Sequence, residues 1–180
     1  MLVGVVKTNV APDPRLGVVI LGLLACNTTY YIVAGRLSEA LESMAWYALL
    51  ILFTLETMPG NRLRSAKKIV VLQGLRFLAT LAIGVSAVLY VREKAWLDAT
   101  NLFLWIAVVG LLEIEVRRPA AVNAYRKVFT RSATLLYAAL SVMVLIWLAR
   151  GEWMNMWDAA LWLAAFGLLE LNFLNREDET

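Results

Sequence analysis

Glu56, Glu113 and Glu170 are the residues of this 180-residue chain whose type and spacing could do chemistry. They follow one another at intervals of 57 residues, each near the end of an apolar stretch. A carboxylate is disfavoured at a helix C-terminus, where the backbone dipole is already negative. Inside hydrocarbon, a charge costs on the order of 2–3 kcal/mol at the bilayer centre and less toward the interface. Repeating that arrangement implies a partner for each carboxylate. Arg76, within the third apolar stretch, and Arg131, at the start of the fifth, are the expected partners, and Arg15 completes a set. Two roles fit. The glutamates act as ion-paired pegs between helices, or they ring a vestibule that binds a cation or carries protons. Glu115 faces another side of its helix, and with Arg117 and Arg118 beside it a solvated ion pair is expected.

A second polar group, Asn27, Thr28 and Thr29, interrupts the first apolar stretch. It either lines a polar path or makes interhelical hydrogen bonds worth about 1 kcal/mol or less. Trp105 and Trp162 are expected in core packing. The chain has no histidine, so the usual ligand for haem, zinc and copper is missing. Its one cysteine, Cys26, reads as a small buried hydrophobe. Phosphate-binding loops, dinucleotide fingerprints and nucleophile elbows are absent from the sequence. Neither a metal nor a cofactor is therefore expected, nor an enzyme, nor a nucleic-acid partner.

The elements that must position these residues are membrane helices. Hydrophobic residues make up 61% of the chain and charged residues only 17%, more apolar surface than a soluble core of this length can use. Six apolar runs stand at about 16–34, 44–58, 69–91, 99–116, 132–149 and 157–174. None alternates as a barrel strand would. The second run is short unless its helix begins near Ala40 and carries Glu42 at its end. Arg62, Arg64, Lys67 and Lys68, and then Arg117, Arg118, Arg126, Lys127 and Arg131, fall in stretches between runs that hold no acid between them. The opposite loops mix signs, with Arg36, Glu39 and Glu42, then Arg92, Glu93, Lys94 and Asp98, then Arg150 and Glu152. Basic loops stay cytoplasmic, which puts both termini inside, in a bacterial inner membrane by default. Trp46, Trp96, Trp147, Trp153 and Trp157 would then form an outer aromatic belt.

The 57-residue step is also an internal repeat. Trp96, Leu104-Trp105, Ala107 and Gly110-Leu111-Leu112-Glu113 recur at Trp153, Leu161-Trp162, Ala164 and Gly167-Leu168-Leu169-Glu170, with a weaker copy ending at Leu55-Glu56. The expected fold is an all-α integral membrane bundle of six transmembrane helices in three hairpins, at about 15–58, 68–116 and 130–174. A cytoplasmic segment (1–14) precedes the bundle and a short tail (175–180) follows it. The function this favours is a small cation or proton channel or transporter, with Glu56, Glu113, Glu170, Arg76 and Arg131 as its inner charged network. The rival is a non-catalytic subunit or assembly factor of a larger membrane complex. The expected partners are the lipid bilayer, a small cation or proton, and other membrane proteins or further copies of the chain.

Overall fold

The computed structural model describes residues 14–57 and 66–177. All their regular structure is helical: α1 (Pro14–Ala34), α2 (Leu37–Thr57), α3 (Ala66–Arg92), α4 (Trp96–Arg117), the short α5 (Pro119–Ala124), α6 (Arg126–Arg150) and α7 (Trp153–Glu177). Of the terminal segments expected on the cytoplasmic side, 175–177 continue α7, while residues 1–13 and 178–180 lie outside the described residues, as do Arg62 and Arg64. So do the side chains of Glu56, Glu170, Lys67 and Lys68.

Among the described residues, five helices are long and apolar enough to cross a membrane: Leu16–Ala34, Leu37–Leu55, Val70–Arg92, Trp96–Glu115 and Arg126–Arg150. These spans mark the chain as a membrane protein. The expected sixth run falls on α7, whose side chains from Leu168 onward lie outside the description. Two boundaries differ from the sequence reading. Helix α2 begins at Leu37, winding Glu39 and Glu42 into its first two turns. Helix α6 begins at Arg126, so Arg126, Lys127 and Arg131 are helical and not in a loop.

The long helices close a ring: α1 packs on α2, α2 on α3, α3 on α4, α4 on α6, α6 on α7, and α7 back on α1. The turns α1–α2, α3–α4 and α6–α7 gather at one end of this ring, where Arg36 of the first turn reaches Glu93 of the second. We call this the hairpin end. Each turn is tight for a local reason. Gly151 takes a left-handed conformation (φ 73°) that ends α6, and Lys94 does the same after α3 (φ 57°). At Gly35 an added Cβ would lie 2.7 Å from the Tyr31 carbonyl oxygen.

The interior below the hairpin end is apolar. Ile20, Leu24, Trp105, Val108, Leu140, Leu161, Trp162 and Ala165 form its main cluster. On α1 the inward stripe is Ile20, Leu24, Asn27 and Tyr31, a helical period of about three and four residues. Cys26 lies off that stripe and is exposed, contrary to the expectation of burial. The tryptophans expected in an outer aromatic belt differ in exposure. Trp96, Trp153 and Trp157 are exposed, but Trp147 is 2% exposed, and Trp46 packs against the main apolar cluster.

Candidate functional site

At the hairpin end all six long helices surround a cleft of about 580 Å³, its mouth included. It is lined by Tyr31, Glu39, Glu42, Ser43, Trp46, Tyr90, Asp98, Asn101, Trp105, Trp147, Asn155, Asp158, Trp162 and Phe166. Four carboxylates therefore line a pocket otherwise made of aromatic rings, two amides and the Ser43 hydroxyl.

The residues enter in one register. Helix α2 supplies Glu39, Glu42 and Trp46; α4 supplies Asp98, Asn101 and Trp105; α7 supplies Asn155, Asp158 and Trp162. Each set is spaced i, i+3, i+7, which puts its members on one helix face. Eight residues before each set, the preceding helix contributes an aromatic residue: Tyr31, Tyr90 and Trp147. Successive sets stand 59 residues apart (39 to 98) and then 57 (98 to 155). The outermost members sit in the first turns of α2, α4 and α7, where the positive end of the helix dipole favours a carboxylate or an amide oxygen.

The mouth is crossed by one guanidinium. Arg36 Nη2 donates to Glu39 Oε1 and to Asp98 Oδ2, both at 2.6 Å, and its Nη1 lies 3.4 Å from Glu93 Oε2. Its own backbone N–H donates to Glu39 Oε2 at 2.7 Å, half of a capping box at the start of α2. The guanidinium also sits 5.8 Å from the Tyr90 ring centre. Partial burial opposes its charge, but the bonds from Glu39 and Asp98 prevail and hold its pKa above the ordinary arginine value.

Deeper in, Tyr90 donates to Glu42 Oε2 at 2.6 Å and Tyr31 donates to Asn155 Oδ1 at 2.9 Å. Asn27 Nδ2 donates to Asp158 Oδ1 at 2.5 Å, and Ser43 donates to Thr28 Oγ1 at 3.0 Å. The floor is aromatic. Trp46 and Trp162 meet edge-on at 6.4 Å between ring centres, and Trp105 lies 4.9 Å from Phe166.

Three buried polar atoms here have no hydrogen-bond partner among the described residues: Trp46 Nε1, Trp147 Nε1 and Asn101 Oδ1.

The residues singled out from the sequence divide between the two ends. Asn27 and Thr28 are buried and bonded to residues of the cleft, whereas Thr29 is exposed and donates to the carbonyl of Ala25 in its own helix. Glu113 is exposed and pairs with Arg117, one turn on along the same face. Arg117 is thus the partner of Glu113, where the sequence reading expected it to serve Glu115. Asp98 and Glu113 are separated by 15 residues of α4, about 22 Å at the helical rise. Arg76 is half-buried on α3 and Arg131 is exposed on α6. The step of 59 between the first two sets of lining residues also brings Thr54, and not Glu56, into register with Glu113.

Sequence reading missed Glu39, Glu42, Asp98 and Asp158 as site residues, because it treated the first three as loop charges. The signal that finds them is an acid or amide, two residues, an acid or amide, three residues, then tryptophan, three times in the chain. No family model, curated protein or solved structure matches this chain.

Proposed function

We propose that this chain is a small cation or proton transporter made of three copies of one helical hairpin, with the hairpin-end cleft as its binding site. The observation that carries the reading is the shared register. Twelve of the fourteen lining residues fall into four sets of three, one residue per hairpin, at the same steps of 59 and 57. Buried positions below the cleft follow those steps too: Leu24, Ile83 and Leu140, then Asn27, Ser86 and Met143. Three related hairpins about an axis along the membrane normal account for this. The third of them includes α7 as the sixth span.

Carboxylates inside a membrane bundle are costly and mark cation and proton paths. Four of them line one cleft, and the guanidinium of Arg36 bridges two of these, Glu39 and Asp98, at its mouth. The apolar cluster beneath the aromatic floor separates the cleft from the opposite end, so passage requires the hairpins to move relative to one another. With the basic stretches on the cytoplasmic side, the cleft opens outward. Glu56, Glu113 and Glu170, with Arg76 and Arg131, then belong to the inner end, and the exposed Glu113–Arg117 pair fits an interfacial peg there. Ion and proton flux into liposomes, compared between the wild type and a Glu42→Gln, Asp158→Asn variant, tests the reading. Loss of flux in a folded variant supports it, and unchanged flux contradicts it. A wild type that conducts nothing moves the subunit reading ahead.

A further inference from the structure

The ring of hairpins is sewn together at the cleft by hydrogen bonds, and one seam is open. Tyr31 of the first hairpin donates to Asn155 of the third. Tyr90 of the second donates to Glu42 of the first. By the same rotation, Trp147 of the third should donate to the second, at Asp98 or Asn101. Trp147 belongs to a buried cluster packed against Leu97 and Leu104 of the second hairpin, so it faces the correct neighbour. Yet its Nε1–H has no partner among the described residues, and neither has Asn101 Oδ1. A donor and an acceptor, both buried and both on residues that line the cleft, are left without a partner among the described residues. Leaving a buried polar group unmet is costly, and a ligand making both bonds recovers that cost.

From this we infer that the cleft holds a primary organic ammonium ion that carries an oxygen, an amino alcohol in chemical class, docked at the seam between Trp147 and Asn101. The inference rests on the cleft being a cation site. The ammonium N–H groups donate to Asn101 Oδ1, and the ligand oxygen accepts from Trp147 Nε1. The remaining wall suits such an ion better than a bare metal. Calcium needs six to eight oxygen ligands, and no group of three or more His, Cys, Asp or Glu side chains able to hold a metal occurs among the described residues. The carboxylates already accept bonds from Arg36, Tyr90 and Asn27, so they do not form an open coordination shell. Indole rings line the cleft, and such rings attract organic cations through their faces.

Titrating the intact protein in lipid-free detergent with ethanolamine, following tryptophan fluorescence, tests this directly. Saturable binding is expected, weakened about tenfold by Trp147→Phe and about tenfold by Asn101→Leu, the loss of one hydrogen bond each. Thermal unfolding of each variant checks that it is folded, and Trp147→Phe keeps the ring should Asn101→Leu fail that check. Tetramethylammonium, which lacks both N–H and oxygen, should bind more weakly and be indifferent to Asn101→Leu. Aminophospholipid headgroups carry the same chemistry. If ethanolamine has no effect in detergent but nanodiscs containing phosphatidylethanolamine change the fluorescence through the same two residues, the ligand chemistry stands and its source is lipid. Sodium, potassium or calcium binding in place of ethanolamine would overturn the inference while leaving the cation reading intact. Binding by none of these probes, with flux retained, overturns it too; loss of flux as well takes down the broader reading.

Discussion

Asn27 of α1 and Asp158 of α7 are joined by a 2.5 Å hydrogen bond across 131 residues of chain, closing the ring of helices beside the cleft. Asp158 has no arginine or lysine among its hydrogen-bond or ion-pair partners in the described residues, so the carboxamide is its principal polar support. Replacing Asn27 with leucine should lower stability by about 1–3 kcal/mol, the cost of stranding a buried acceptor. Thermal unfolding in detergent measures this. A wild-type midpoint for Asn27→Leu would show that the bond contributes nothing.

Tyr90 and Glu42 should be energetically coupled. A double-mutant cycle of Tyr90→Phe and Glu42→Gln is expected to return an interaction of about 0.5–3 kcal/mol, as contacting residues do. Additivity of the two single changes would mean that the 2.6 Å contact does not hold α3 to α2.

Arg36 competes with any cation that enters. Its guanidinium bonds to Glu39 and Asp98 while its side chain remains 43% exposed. Arg36→Gln should therefore tighten cation binding about tenfold, since a positive charge a few ångströms away is removed. Partial exposure makes the gain smaller at high ionic strength. Weaker cation binding in Arg36→Gln would place the guanidinium in a supporting role and not a competing one.

The turns give a prediction independent of the cleft. Lys94 holds a left-handed conformation that disfavours any side chain by about 1–2 kcal/mol, whereas Gly151 holds the same conformation without a Cβ. Lys94→Gly should raise the unfolding midpoint and Gly151→Ala should lower it. Opposite signs would show that the two turns are not built alike.

Much of the architecture is legible in the amino-acid sequence, because spans are written in composition and length. The five described spans overlap the runs read from apolarity alone. The start of α2 escaped because Glu39 and Glu42 resemble loop charges, and apolarity does not reveal that i, i+3 spacing turns both inward. The shared register of the lining residues escaped for a related reason. Its strongest visible marks, Trp105 and Trp162 with the glutamates beyond them, give a step of 57, and extending it unchanged to the first hairpin misses Trp46 by two residues. Which polar groups meet across helices, as Tyr31 meets Asn155, depends on the order of packing around the ring and has no local signature.

The most direct measurement compares cation and proton flux in liposomes for three proteins: the wild type, Glu42→Gln with Asp158→Asn at the cleft, and Glu56→Gln with Glu113→Gln and Glu170→Gln at the opposite end. Flux that is lost only in the folded cleft variant is the predicted result. Flux that survives the cleft variant and disappears in the triple glutamate variant would contradict it, and would return the path to the carboxylates at the other end of the bundle.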